Sequence, residues 1–324
     1  MADDMNTPYE RQVLRKLKNA TLIEGGLIII LLCVVIGMAI ALTNKKEETV
    51  PAVLEVTEPV QTAPTEAATE HRDSIFLIQD GTNGEIYLPV IPNVPLCKLD
   101  YENIISRNGM LYYLENQEIT SKIGIDISSH QGIIDWETVH DAGVDFALIR
   151  AAYRGYGSGE LLEDERFHEN IQGALDAGLD VGVYCFSQAL TVEEAREEAE
   201  LTLSMIGNYE ITYPVIFDWE FVSANEARTG NISVTALTDC TVAFCEAVKA
   251  EGYIPMVYQN KHTSLFKLDL SRVADYDFWL AEYNEKAGYY YNYDIWQYTD
   301  SGSLPGITGK VDLNICFKDY HAEE

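Results

Sequence analysis

Basic residues are scarce in this chain. Lys and Arg number 22 against 52 Asp and Glu, a formal net charge of −30 at pH 7. Nucleic-acid recognition rests on basic patches that neutralise phosphates, so this balance argues against that class of partner. It also argues against docking on anionic surfaces by simple attraction, and fits a well-solvated acidic exterior. Cysteine is sparse too. Beyond Cys33, which lies in an apolar run, there are Cys97, Cys185, Cys240, Cys245 and Cys316, with no C-x-x-C and no Cys/His ligand cluster. An odd number cannot all pair within one chain, and a chain of this size needs no disulfide framework, so buried free thiols are expected. His71, His130, His140, His168, His262 and His321 form no pair at i, i+2 or i+4, which leaves a zinc hydrolase or deacetylase poorly supported. There is no G-x-S-x-G elbow and no cysteine with an obvious histidine partner. No metal and no cofactor is implied.

Long hydrophobic runs are absent but for one. "GGLIIILLCVVIGMAIAL", 25–42, holds no charge and is long enough to cross a bilayer, at the short end of the usual range. Arg11, Arg15, Lys16 and Lys18 precede it, and only Lys45 and Lys46 follow closely. The positive-inside rule then places 1–24 as a cytoplasmic tail and everything after Thr43 outside. Cleavage as a signal peptide near Ala41 is the alternative, because Ala39-Ile40-Ala41 has the small-x-small form. The long polar head favours a retained anchor, and the bulk of the protein is exported either way. Residues 43–73, rich in Thr, Glu, Pro and Ala without apolar periodicity, read as a disordered linker. Residues 74–121 read as a small β-rich segment with turns at Asn83-Gly84 and Asn108-Gly109, a spacer or packing appendage.

From 122 to 324 the texture changes to strands alternating with helices. Strand candidates are 123–128, 145–150, 180–186, 213–220, 253–259, 277–282, 293–299 and 311–316. Phe167, Ile171, Ala174 and Leu175 form a helical stripe, and further helices are expected near 192–206 and 233–251. Eight strands with helical crossovers predict a (β/α)8-type barrel. "YNEKAGYYYN" and "DSGSLPGITGK" are too short and turn-rich for helices, so the barrel should be irregular, with helices missing from its last third. A doubly wound open sheet is the other option, but no glycine-rich phosphate loop follows the first strand.

On the barrel reading, acidic residues gather at strand ends: Asp126 in the first, Asp218 and Glu220 in the fourth, Asp312 in the eighth. Barrel active sites are built from that rim. Residues two apart in a strand face the same way, so Asp218 and Glu220 share a face while Trp219 points to the other. Two carboxyls that close perturb each other, one staying protonated while the other ionises. That is what glycoside hydrolysis needs: a proton donor for the leaving oxygen and an anion for the oxocarbenium-like transition state. Tyr184, Tyr258, Tyr283 and Trp296 lie at or near strand ends, where aromatic faces suit sugar rings; packing within the barrel is their other use. His130 in "SSHQG" reads as a loop residue.

Seven ordered blocks carry a resemblance: "GIDISSHQGIIDW" (124–136), "FALIRAAYRGYGSG" (146–159), "VGVYCFSQA" (181–189), "YPVIFDWE" (213–220), "FWLAEY" (278–283), "IWQYT" (295–299) and "VDLN" (311–314). Over roughly 123–317 the chain resembles the family-25 glycoside hydrolases, the Chalaropsis-type lysozymes, which are N-acetylmuramidases acting on peptidoglycan. The resemblance implies an irregular β/α barrel with Glu220 as general acid. Asp218 would be the second carboxylate, either orienting the substrate's N-acetyl group or stabilising the cation directly. Asp126 and Asp312 match the remaining acidic positions, and Arg150, Tyr184, Tyr258, Trp296 and Gln297 are substrate-binding candidates. The implied partner is the peptidoglycan glycan strand. A non-catalytic peptidoglycan-binding ectodomain is the alternative, and an enzyme on another N-acetylated glycan such as chitin a third. Residues 1–122 inherit nothing from the resemblance.

Overall fold

The computed structural model describes residues 75–80 and 84–322. The apolar run 25–42, the tail before it and the linker after it lie outside the described residues. Among the described residues, no helix is long and apolar enough to cross a membrane. Five short strands come first: β1 Ile75–Asp80, β2 Gly84–Pro89, β3 Ile104–Arg107, β4 Met110–Glu115 and β5 Glu118–Ile119. The remaining strands are β6 Lys122–Ile127, β7 Phe146–Arg154, β8 Leu161–Glu163, β9 Asp180–Ser187, β10 Val215–Trp219, β11 Pro255–Asn260, β12 Asp277–Ala281, β13 Ile295–Gly302 and β14 Val311–Cys316. Helices α1 Trp136–Asp141, α2 Phe167–Asp176, α3 Val192–Ile206, α4 Val234–Ala250 and α5 Lys261–Lys267 fall between them.

Every strand candidate of the 122–324 region forms a strand, and together they close a barrel. Going round it, the order is β6-β14-β13-β12-β11-β10-β9-β7, and β7 returns to pair with β6. β7 runs on past the barrel to Arg154 because β8 pairs with its extension. The stripe of α2 buries Phe167, Ile171 and Ala174. α3 and α4 start on Thr191 and Ser233, whose hydroxyls accept from the backbone N–H of Glu194 and Ala236. No helix lies between β12 and β13 or between β13 and β14.

The fold departs from a regular barrel at its last strand. β14 is antiparallel to both β13 and β6, whereas the other neighbouring barrel strands run parallel. A parallel return needs a crossover of a dozen or more residues, and the link 303–310 is too short, so the chain folds back as a hairpin. This reversal puts Asp312, the second residue of β14, at the rim where the other strands end. In register it sits opposite Asp126.

Alternation along each strand divides the core in two. Inside the barrel lie Phe146, Leu148, Tyr184, Ile216, Met256, Tyr258, Trp279 and Ile295. Outward residues such as Ile125, Val183, Phe217 and Leu280 pack under the helices. Gly124 is required by the interior: a Cβ there would lie 2.1 Å from the Phe146 ring.

The β-rich segment covers the flank where helices are missing. Cys97 N–H donates to Tyr290 O at 2.9 Å and Asn292 N–H to Pro95 O at 2.8 Å. Phe76 stacks on Tyr290 with ring centroids 4.1 Å apart, and Tyr101 meets the edge of Trp296 at 6.2 Å. The hairpin at Asn108-Gly109 forms as the turn signal predicts, with φ of 54° and 81°. Cys185, Cys240, Cys245 and Cys316 are buried free thiols, while Cys97 is half-buried and also free.

Candidate active site

The rim of the barrel opens into a cleft of about 1030 Å³. Asp126 from β6, Asp218 from β10 with Glu220 just beyond its end, and Asp312 from β14 all line it, so three elements far apart in sequence deliver four carboxyls to one place. Arg150, Tyr184, Tyr258 and Gln297 line it as well. Trp296 does not. It is fully buried on the outer face of β13, donates its indole N–H to Glu282 O at 2.8 Å and packs on Tyr101 and Tyr298. Strand parity explains the difference, since Gln297 next to it must face inward.

β10 holds its carboxylates rigidly. Trp219 turns outward and donates to Ala189 O at 3.1 Å, and Gln259 donates to Trp219 O at 2.7 Å. Gln188, fully buried, donates to the Glu220 carbonyl at 2.6 Å. Asp218 and Glu220 therefore project into the cleft with Cα atoms roughly 6.6 Å apart. Asp218 is 4% exposed, and its Oδ1 has no hydrogen-bond partner among the described residues.

Electrostatics follow from burial. Desolvation lifts Asp218 well above the usual carboxylate range, the charges of Glu220 and Asp126 lift it further, and Arg150 opposes them. Glu220 is raised by desolvation and then by Asp312. Asp126 is pushed up to about 6 by burial, against hydrogen bonds from Asn314 and Gln297. Asp312 is pushed up to about 8 by burial and by the charge of Asp126. Burial and mutual repulsion therefore raise all four carboxyls, which favours an acid and an anion side by side. Arg150 is clamped by Asp164, its Nε 2.8 Å from Oδ2, and lies 5.1 Å from the Tyr153 ring centroid.

Other residues here carry no isolated signal in the sequence. Asn314 and Trp279 bond behind Asp126, and Asp164 reaches Arg150 through the β7–β8 hairpin. Asn314 alone could have been found, being two residues after Asp312 on an inward face. His130 and Tyr156 also line the cleft. A buried network braces its walls: Arg154 Nε donates to Glu198 at 2.7 Å and Nη1 to Gly159 O at 3.0 Å, while Arg228 donates to Glu194 at 2.6 Å. The β7–β8 loop and the segment after Glu220 are thereby tied to α3.

Barrel and carboxylate cleft together define a class of proteins, and sequence comparison narrows it. The glycosyl hydrolases family 25 profile matches residues 125–307. The chain belongs to glycosyl hydrolase family 25. It is 30% identical over 193 residues to the autolytic lysozyme of Clostridium acetobutylicum, covering 59% of this chain and 54% of that protein. It is 28% identical over 204 residues to lysozyme M1 of Streptomyces globisporus, covering 59% and 66%. Among solved structures, the modular autolysin LytC of Streptococcus pneumoniae in complex with a synthetic peptidoglycan ligand superposes with a TM-score of 0.54 at 26% identity, covering 75% of this chain and 56% of that one. The chain thus spans only about half the length of the autolytic lysozyme and of LytC.

Proposed function

We propose that this chain is a muramidase that hydrolyses the β-1,4 bond between N-acetylmuramic acid and N-acetylglucosamine in peptidoglycan. The observation that carries the reading is the Asp218–Glu220 pair at the end of β10, projecting with Asp126 and Asp312 into one cleft. Relatives named lysozyme support it. In this reading Glu220, whose pKa burial raises, is the proton donor to the departing glycosidic oxygen. Asp218 presents an unpartnered Oδ1 to the cleft. It either accepts from the substrate's N-acetyl N–H, orienting that group to attack the anomeric carbon, or stabilises the oxocarbenium directly. Arg150, Tyr184, Tyr258 and Gln297 would shape the sugar subsites. Trp296, buried on the other face of β13, is left out.

The proposal extends to location. The charge-free run 25–42 would anchor the chain with its N-terminus in the cytoplasm, and 43–73 would hold the barrel away from the membrane. A tethered enzyme reaches only nearby wall, which points to remodelling of the cell's own peptidoglycan. The test is to incubate the full chain with purified peptidoglycan and identify the new reducing ends. Muramic acid ends are the expected result. N-acetylglucosamine ends would make the bond assignment wrong, and binding without release at any pH would leave a non-catalytic ectodomain.

A further inference from the structure

Asp126 is held from behind by a chain of hydrogen bonds with a fixed direction. Its Oδ2 lies 2.8 Å from Asn314 Nδ2 and 2.8 Å from Gln297 Nε2. Asn314, itself fully buried, has its Oδ1 2.8 Å from the indole nitrogen of Trp279. An indole N–H can only donate. The Asn314 oxygen must therefore face Trp279, and its NH2 must face Asp126. An amide NH2 can likewise only donate, so Asp126 Oδ2 has to be an acceptor. Gln297 points the same way: its Oε1 accepts from Tyr258 OH at 3.0 Å and Tyr283 OH at 2.8 Å, leaving its NH2 for Asp126. Across the β6–β14 pair Asp126 faces Asp312 in register. Two carboxyls that face each other repel when both are ionised, which favours one proton held between them.

We propose that Asn314 is a positioning residue for the reaction: oriented by Trp279, its amide donor keeps Asp126 the ionised partner of the Asp126–Asp312 pair and leaves the shared proton on Asp312. Asp312 then lines the cleft with Glu220 as a neutral acid. The raised values, about 6 for Asp126 and about 8 for Asp312, have the same order as the geometry. Other charged or titratable groups bear on the pair. Asp218 and Glu220 come from the β10 end, Arg150 and its partner Asp164 from β7 and the hairpin beyond it, and Asp300 from β13. The phenols of Tyr184, Tyr258 and Tyr283 also lie within the field of Asp126. None of these donates to Asp126 Oδ2 in a direction fixed by an indole.

The kinetic part of the test rests on the muramidase reading; the spectroscopic part does not. In the full chain, Asn314→Leu removes the donor with little change in volume. The acid limb of kcat/KM on peptidoglycan should move up by about one pH unit, since a hydrogen bond to the charged form is lost. Carbon-13 carboxyl NMR should show Asp126 titrating higher and Asp312 lower than in the parent. Trp279→Phe, which frees the amide to turn, should move both readouts the same way by less, and it serves if Asn314→Leu does not fold. A merely structural asparagine would lower activity and melting temperature evenly. A pH profile that superimposes on the parent after scaling, with both carboxyl titrations unmoved, overturns the proposal. If the parent releases no reducing ends, the functional reading fails, and the carboxyl titrations alone decide the role of Asn314.

Discussion

The lower and upper halves of the barrel interior are built by the same strands and have opposite character. Low in the barrel, Phe146 fills the space over Gly124 and stacks on Tyr213 with centroids 4.4 Å apart, and Ile295 and Cys316 complete an apolar plug. High in the barrel, the inward positions become Asp126, Arg150, Asp218, Gln297, Asp312 and Asn314. The plug stabilises by excluding water and filling space. The upper layer gathers like charges in a desolvated place, which works against folding and is retained at functional sites. Each strand therefore carries its chemistry on a foundation two to four residues away, and the two layers should respond to substitution in different currencies: stability below, activity above.

The sharpest way to break that comparison is to cut each layer separately. Phe146→Ala should cost about 3–5 kcal/mol of stability, the range for a large buried ring, measured by denaturant unfolding. The folded fraction should keep the parent's pH–activity profile. A shifted profile would mean that the plug is not merely a foundation. In the upper layer, Asp218→Asn should lower kcat/KM by roughly 10²-fold, the scale for one electrostatic contact with a developing charge, without lowering the melting temperature. A matching loss of stability would place Asp218 with the structural residues instead.

A smaller effect separates the two faces of β13. Trp296→Phe removes the donor to Glu282 O and leaves a ring-sized gap near Tyr101, so a stability loss of about 1–2 kcal/mol with normal KM is expected. A raised KM with normal stability would return Trp296 to the sugar subsites. The smallest effect is on pH dependence. Carboxyls whose folded pKa lies above the unfolded value bind more protons when folded, so stability falls as pH rises between the two values. For Asp312 that window runs from the ordinary aspartate range to about 8. Asp312→Asn should flatten the decline in melting temperature across it, and an unchanged slope would show that Asp312 ionises freely in the folded protein.

Much of this was legible before the structure. The strands of the barrel announce themselves as apolar runs, and period-two alternation alone puts Asp218 and Glu220 on one face with Trp219 on the other. The missing late helices follow from turn-rich links. The reversed direction of β14 is implied only by the shortness of 303–310 and by no residue pattern in the strand itself. That reversal matters because it brings Asp312 to the rim from the beginning of its strand, not from the end. Trp296 and Gln297 are both substrate-binding candidates in the resemblance, and strand parity separates them. Asp164, Gln188 and the Arg154–Glu198 brace depend on loops and helices meeting in space, for which local sequence offers no signal. The β-rich segment read as an appendage, and its aromatics turn out to cover the strands that lack helices.

In the proposed mechanism the carboxyls at the end of β10 perform the chemistry. Its most direct test is Glu220→Gln in the full chain, an isosteric change at the cleft, assayed for reducing-end release from purified peptidoglycan with melting temperature measured alongside. Loss of a proton donor should reduce release by about 10²–10⁴-fold, with the melting temperature held or raised. Release at the parent rate from a folded Glu220→Gln protein would contradict the account.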